Sequence, residues 1–596
     1  MFYITDGAEL YIYNKDKTMI QGPYTSDLYS GIQSIGSDLM AGDEIILEYI
    51  KPSSATGRSI LHISKVVHGY KKLTKSLLGY GESGWCNINI NCPEGDDWQD
   101  QSDAVAVVIV DDEYHCSGSL LNNTCQNYTP YFLSAFHCAD DGDGSLSSGE
   151  IDDVEDWVFR FQFKSPTCSN STPSGWITYN NCTYRAGYNP SDFILVELDN
   201  TPTQSTGIKN LGWSRYTSPD SAVGIHHPSG DVMKISYDSD APTNTNYLSS
   251  TGSGHWRVVW DGGTTEGGSS GSPLFNENQR VIGQLHGGWA SCALQDSADW
   301  FGAFDYSWGR EANNNPIWGR NHSNSLYYWL DPNDVGNMTT NTISIPYITG
   351  PDMVCYSPSQ TFSLHDRPSG TNVNWTYNTS LLYPVSGQGT NNFTVRAKTQ
   401  YVGGEGWVQA NISTGNCDPV SWRSGFWVGV PDPTIDGSIY PECFMREWYF
   451  LEPEDKWGTY YWHTDNMLRI IGSRYGYKAL VEPLEGGTGQ IFCDVTNTCG
   501  TGYGRLVVYI SCRGFKMSPN PADDYVEISI DESKLVENKI DDYEVRIYNG
   551  MNIMVSQTRT RKPTLRINTG QFINGIYTVH FITGDKVQVE QLVIAH

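Results

Sequence analysis

The sequence predicts a mostly β chain of several domains, and three observations carry that prediction. Its 596 residues exceed one hydrophobic core, since domains run to roughly 100–200 residues. The composition is 38% hydrophobic and 13% aromatic with 60 Gly and 28 Pro, and short apolar runs alternate with turn residues where long helical periodicity is missing. The 14 cysteines form neither a CxxC pair nor a paired zinc pattern, so they read as disulfide partners in an oxidising compartment.

The bulk numbers also narrow the partners. A formal net charge of −29 repels phosphate backbones, which argues against nucleic acid. The acidic residues are scattered, so no acidic tail is implied. No run of about 20 apolar residues occurs, so no membrane span is expected. The start, Met1-Phe2-Tyr3-Ile4, lacks a basic region followed by an apolar run. A signal peptide is therefore not visible, and the natural N-terminus is expected further upstream.

In chain order, residues 1–75 hold short alternating runs at Glu9–Tyr13, Glu44–Tyr49 and Ile60–Val66, separated by Gly-Pro and Asp-Gly turns. They contain no cysteine and end in Lys71, Lys72 and Lys75, before the Gly-rich GYGESG. A cysteine-free β-module, a basic loop and then a cysteine-dense module read as a β-rich pro-region with its cleavage linker. An ordinary N-terminal domain is the alternative. Residues 76–335 carry eight of the cysteines and every catalytic signal. Residues 336–418 hold Cys355, Trp375 and Cys417 in a spacing that fits an immunoglobulin-like β-sandwich. Residues 419–515 repeat the theme with Cys443, Cys493, Cys499 and Cys512, and residues 516–596 form a last block of alternating strands.

The sharpest chemical signal is Gly267-Gly268-Ser269-Ser270-Gly271-Ser272-Pro273. A serine hydroxyl is a poor nucleophile and needs an exposed tight turn. Small neighbours let a substrate carbonyl approach and let backbone N–H groups meet the developing oxyanion. A flexible Gly/Ser linker is the bland alternative, but apolar runs Arg257–Trp260 and Val281–Leu285 bracket the segment. The second signal is YFLSAFHCAD, in which an apolar strand runs into His137 and Cys138 follows at once. A lone His after a strand is more often structural. Here Cys116, opening CSGSLL with small Ser117 and Gly118, could close a loop with Cys138 and fix the ring. The third is NPSDFILVELDN, where Asp192 stands between a turn and a continuous apolar strand. A carboxylate at the mouth of a buried strand can accept the imidazole N–H. Asp140, Asp141 and Asp143 compete for that role but lie in an acidic loop too close to His137 in sequence.

The order His137, Asp192, Ser270 is that of chymotrypsin-type proteases and differs from the orders in subtilisin and α/β-hydrolases. Residues 81–335 resemble bacterial lysyl endopeptidases through CNINIxC, CSGSLLNN, YFLSAFHC, SDFILVEL, GIHHP, TEGGSSGSP, RVIGQLHGG and DxFG at 299–302. The resemblance implies a chymotrypsin-like double β-barrel and a secreted serine endopeptidase acting on proteins or peptides, with no cofactor. It implies His137, Asp192 and Ser270 as catalytic residues and the Gly268 and Ser270 amides as the oxyanion hole. It also implies disulfides Cys86–Cys292, Cys92–Cys168 and Cys116–Cys138, while Cys125 and Cys182 fall outside the pattern.

Substrate choice follows the same resemblance. Asp299 is the expected specificity acid, unpaired in the free enzyme apart from water, with Asp296 as its rival. His286 and Gly287 of GQLHGG and Tyr247 are the expected neighbours of the substrate. Lys is expected ahead of Arg, although Tyr247 stands where the lysine-specific family has Trp. Residues 1–75 resemble that family's pro-region in IQGPYT, GDEIILEYIKP and HGYKKL. SPNPADD, VRIYNG and FINGIYTVHF resemble the C-terminal sorting domain of type IX secretion, which implies cell-surface attachment through that domain. Such domains usually end with a basic residue before a short apolar tail, whereas this chain ends EQLVIAH.

Two rival functions use the same residues: a catalytically inactive trypsin-like adhesin whose sandwiches bind, and an esterase on the same triad. A weaker signal is ADDGDGSLSSGE at 139–150, where Asp141, Asp143, Gly144 and Glu150 fall in an EF-hand register but position one is Ala139. A solvated acidic loop is the preferred reading, and no metal is expected.

Overall fold

The structure is a computed structural model. It describes residues 3–26, 35–52, 57–63, 65–66, 81–110, 114–173, 175–311, 313, 315–443, 445–452, 458–510, 515–530, 542–584 and 586–596. The expected cleavage linker around Lys71, Lys72 and Lys75 lies outside the described residues. The chain is mostly β, as its composition predicts, and falls into two compact units. The first holds Met1–Ile348, Leu364–Asn374 and Ala410–Trp422; the second holds Thr349–Ser363, Trp375–Gln409 and Arg423–His596.

The first unit opens with β1 (Glu9–Asn14), β2 (Ile20–Tyr24) and β3 (Ile45–Ile50), paired in the order β2-β1-β3 over buried Ile4, Ala8, Leu10 and Tyr24. The expected run Ile60–Val66 forms no strand among the described residues and contributes a bridge from Ile60 to Tyr3. The protease-like region begins with β4 (Ile88–Asn89), followed by β5 (Val105–Val110), β6 (Tyr114–Leu121), β7 (Tyr131–Ala135), β8 (Val158–Phe161), β9 (Ile177–Asn180), β10 (Cys182–Tyr188) and β11 (Phe193–Leu198). Strands β5 to β11 make one sheet in the order β10-β11-β7-β6-β5-β8-β9. The sequence VAVVIV explains why β5 is central: every one of its side chains is buried, so both faces must be covered.

A second sheet follows. After the short β12 (Lys209–Asn210) come β13 (Ala222–His226), β14 (Lys234–Asp238), β15 (Thr243–Thr245), β16 (His255–Val259), β17 (Pro273–Phe275), β18 (Val281–Gly288) and β19 (Ala298–Ala303). Its order is β15-β16-β19-β18-β17-β13-β14-β4, so the chain crosses from β4 at this sheet's edge into the first sheet. One sheet per half, antiparallel throughout, is the chymotrypsin-like arrangement. Phe132, Phe159, Phe161 and Leu195 fill the first core, and Trp256, Leu274, Ile282 and Phe301 the second. The disulfides Cys86–Cys292, Cys92–Cys168 and Cys116–Cys138 are all formed.

The remaining cysteines depart from a sandwich held by its own bridge. Cys355 and Cys417 do not pair with each other: Cys417 joins Cys125, and Cys355 joins Cys499. Among the described residues Cys182 is free and buried, as is Cys493.

In the second unit Trp375 stacks on Phe393 and donates its indole N–H to the Thr390 carbonyl, fixing one end of an apolar core. The last block places Phe515–Ser518, Tyr525–Ile530 and Thr564–Asn568 in one sheet. Tyr543–Tyr548, Met554–Thr560, Gly575–Thr583 and Lys586–Ile594 form another. Val526, Ile528, Val545, Ile547, Val579 and Leu592 are buried between them, the alternation expected for half-buried strands. Among the described residues no helix is long and apolar enough to cross a membrane.

Candidate active site

His137, Asp192 and Ser270, which lie far apart in sequence, meet at one point. Strand β7 is buried as far as Ala135, and the chain then turns tightly through Phe136–Cys138. That turn throws the His137 ring out of the core while the Cys116–Cys138 bridge holds its base. Asp192 sits in a left-handed conformation (φ 56°) just before β11. Asp tolerates this backbone better than a branched residue would. The turn buries its carboxylate almost completely.

The Asp192 carboxylate is held by two donors on one residue. The His137 backbone N–H donates to Oδ1 at 2.9 Å, and His137 Nδ1 lies 2.8 Å from Oδ2. The other ring nitrogen, Nε2, lies 2.9 Å from Ser270 Oγ. Burial pushes the Asp192 carboxyl up, and the hydrogen bond and charge of His137 pull it back. For His137 burial acts downward, but the Asp192 hydrogen bond and charge outweigh it and the imidazole rises above 6.5. An imidazole so held can take a proton from Ser270 Oγ and keep the resulting charge beside a carboxylate.

The serine turn is built from glycine and hydroxyls. Gly268 (φ 93°) and Gly271 (φ 81°) flank Ser270 in backbone conformations that side chains rarely adopt. The Ser270 carbonyl accepts from the Ser117 N–H at 2.7 Å, and Ser117 Oγ donates to the Gly268 carbonyl at 2.9 Å. Ser117 Oγ also accepts from the His227 N–H at 3.0 Å. Ser117 thus ties the serine turn to both sheets. In the sequence it registered only as a small residue beside Cys116. Ser269 Oγ lies 2.8 Å from Nδ1 of buried His226. Among the described residues the Gly268 and Ser270 amides donate to no protein group, leaving both available to an incoming oxygen.

Beside this centre, β18 and β19 run together with Gly288 opposite Asp299. Asp299 is fully buried and Asp296 is exposed, so the two rivals differ sharply in their surroundings. Its carboxylate is better satisfied than the sequence led us to expect. Trp260 Nε1–H donates at 2.8 Å, Thr265 Oγ–H at 2.7 Å and the Ala290 N–H at 3.2 Å. Burial still raises its carboxyl above the ordinary value, because those donors are neutral.

Tyr247 and His286 lie ring on ring, with centroids 3.6 Å apart and planes within 4°. His286 Nδ1 is 4.0 Å from Asp192 Oδ2 and 3.0 Å from Nε2 of His255. Gly287 follows on the same strand, and a side chain there would approach the Tyr247 hydroxyl. His255 carried no sequence signal, since it is a lone His in SGHWRVVW at the start of β16.

The acidic loop resolves into turns. Asp140, Asp141 and Asp143 cluster closely. Glu150, however, accepts from the Asp141 and Ser147 amides and caps the helix Ser148–Glu155. Asp140 accepts from the Gly144 N–H, and Asp143 from Ser145. Glu150 is therefore engaged by backbone donors as part of the helix cap.

With this geometry in view, comparison with known proteins places the region. Residues 80–302 match the family described as lysyl endopeptidase, C-terminal domain. The domain is lysyl endopeptidase-like. Residues 516–595 match the secretion system C-terminal sorting domain. A lysyl endopeptidase of Pseudomonas aeruginosa is 27% identical over 290 residues, covering 45% of this chain and 60% of that protein. The chain thus spans about three fifths of that relative's length. A thermostable serine protease, AL20, from an extremophilic microorganism shares 15% identity with a TM-score of 0.26 and covers 34% of this chain and 92% of its own. The lysyl endopeptidase-like domain and the sorting domain together make this an exported protein, extracellular or held at the cell surface.

Proposed function

We propose that the lysyl endopeptidase-like domain is a serine endopeptidase that cleaves peptide bonds after basic residues, Lys ahead of Arg. The observation that carries this reading is the unbroken chain Asp192 Oδ2, His137 Nδ1, His137 Nε2, Ser270 Oγ at 2.8 and 2.9 Å. In it Ser270 attacks the scissile carbonyl while His137 takes its proton and later returns it to the leaving amine. Asp192 fixes the tautomer and steadies the imidazolium. The Gly268 and Ser270 amides receive the oxyanion. Asp299 faces the substrate cation from the pocket base, and the Tyr247–His286 stack forms one wall. The similarity to a lysyl endopeptidase supports the basic preference.

In this reading the chain is a precursor cut within the linker that follows Lys75. The Gly81 N–H donates to Asp231 Oδ1 at 2.5 Å and the Gly84 N–H to Glu266 Oε1 at 3.0 Å. Those bonds make residues 81–84 part of the domain and support a cut upstream of Gly81. The test is turnover of matched Lys, Arg and Leu peptides by the wild type and Ser270→Ala, with a serine-directed phosphonate as a second probe. Wild type should cut after Lys, label on Ser270 and process itself. Ser270→Ala should lose on the order of 10⁶ in kcat and stay whole. Peptidase activity retained by Ser270→Ala would end the proposal.

A further inference from the structure

The side chain of Asp38 leaves the N-terminal module and enters the lysyl endopeptidase-like domain. There Arg160 on β8 donates to Oδ1 from Nε at 2.7 Å and also from Nη2. Trp176 Nε1–H and Thr178 Oγ–H donate to Oδ2 at 3.1 and 2.9 Å. Both partners of the ion pair are almost wholly buried, with 3% and 4% of their side chains exposed. The guanidinium also lies over the Trp176 and Phe163 rings, which hold it in place.

The N-terminal side of the contact is equally built. Gln21 on β2 grips Asp38 by its backbone at both ends, donating to its carbonyl at 2.8 Å and accepting from its N–H at 3.1 Å. Two residues earlier, the Gly36 carbonyl accepts from Asn180 Nδ2, and its N–H donates to Asn181 Oδ1 at 3.3 Å. A side chain at Gly36 would strike the Asp156 carbonyl, so only glycine lets the segment lie this close. Among the described residues Asp38 is the carboxylate that pairs with Arg160. An arginine stays charged at any ordinary pH, so Arg160, buried beneath the docked segment, needs the Asp38 carboxylate for as long as that segment stays in place.

We propose that Arg160, Trp176 and Thr178 form a carboxylate-binding slot, separate from the Ser270 centre, and that Asp38 occupies it so that the N-terminal module stays bound after the linker is cut. The slot sits on the β8–β9 side of the first sheet, and its ligand class is a planar carboxylate presented by an extended peptide. The slot itself stands on this contact alone, whereas its role after cutting rests on the precursor reading proposed above.

The experiment uses the full chain with Ser270→Ala, so that no self-cleavage intrudes, and a site-specific protease sequence replacing residues 76–79. After cutting, the N-terminal module should co-elute with the remainder on size exclusion. With Asp38→Asn it should elute separately, its dissociation constant raised by at least about 10²-fold. Because Asp38→Asn could unfold the small module, a synthetic peptide of residues 33–42 is added to the cut protein with Asp38 intact. That peptide should displace the module, and the same peptide with Asp38→Asn should not. Separation of the intact-Asp38 module on cutting, undiminished co-elution of folded Asp38→Asn, or equal competition by both peptides would each overturn the proposal.

Discussion

His255 Nε2 lies 3.0 Å from His286 Nδ1, and this contact decides which proton His286 carries. Among the described residues Nδ1 of His255 is buried without a hydrogen-bond partner. An orphan N–H is rarer and costlier than an orphan lone pair, so Nδ1 is bare and Nε2–H donates to His286. Burial holds His255 to about 4 and His286 to about 3, so both rings are neutral at working pH. His286 is then fixed flat against Tyr247. Replacing His255 by Leu should raise KM for Lys peptides by on the order of tenfold with little change in kcat, whereas His255→Gln, which keeps a donor, should restore it. Steady-state kinetics on the two variants checks this; a fall in kcat with KM unchanged would place His255 elsewhere in the mechanism.

Asp299→Ser should abolish the proposed preference for basic residues. The variant keeps a polar group near Trp260 and Thr265, which lose their shared acceptor, but offers no charge to a Lys side chain. A cation entering that buried site unpaired loses roughly 3–5 kcal/mol, so kcat/KM for Lys peptides should fall by at least about 10² while a Leu peptide changes little. Undiminished cleavage after Lys by Asp299→Ser would remove Asp299 from the pocket.

The pH profile follows from His137. In the proposed mechanism its neutral form is the base, and its pKa lies above 6.5, so kcat/KM should rise with pH along an acid limb centred above 6.5. In Asp192→Asn the two larger raising influences are gone, and burial, which acts downward, remains beside the weaker charge of Asp140. The limb should move to lower pH while kcat falls by about 10⁴. A limb that stays in place in Asp192→Asn would show that another group titrates there.

Peptide mapping without reduction should recover Cys125 with Cys417 and Cys355 with Cys499, and alkylation should reach Cys182 and Cys493 only after unfolding. The Cys125–Cys417 bridge spans 292 residues. In the chain-entropy account such a loop constrains the unfolded chain by on the order of 5 kcal/mol. The double variant Cys125→Ser, Cys417→Ser should therefore melt earlier in calorimetry with its turnover unchanged. A Cys355–Cys417 peptide in the wild-type map would contradict the pairing.

Much of the fold and of the candidate site was legible in the chain because the relevant physics is local. Apolar runs such as VAVVIV and FILVEL announce buried strands wherever they fall. Gly268 and Gly271 mark a backbone that few other residues adopt, so the serine turn is written in its own residues. The strand running into His137 and the turn before Asp192 are read the same way. The run Ile60–Val66 misled because alternation states only that a strand would be half-buried, and among the described residues no partner edge meets it outside one bridge.

The tertiary structure alone decided what depends on distant neighbours. His255 and Ser117 are ordinary residues in sequence and matter only because folding brings His286 and the serine turn to them. Asp299 and Asp296 look alike three residues apart, and burial at a strand pairing separates them. The Cys125–Cys417 and Cys355–Cys499 pairings and the Asp38–Arg160 contact, 122 residues apart in sequence, have no local signature at all. A hydrogen bond or ion pair acts over a few ångströms of space, whereas sequence records only the few residues on either side.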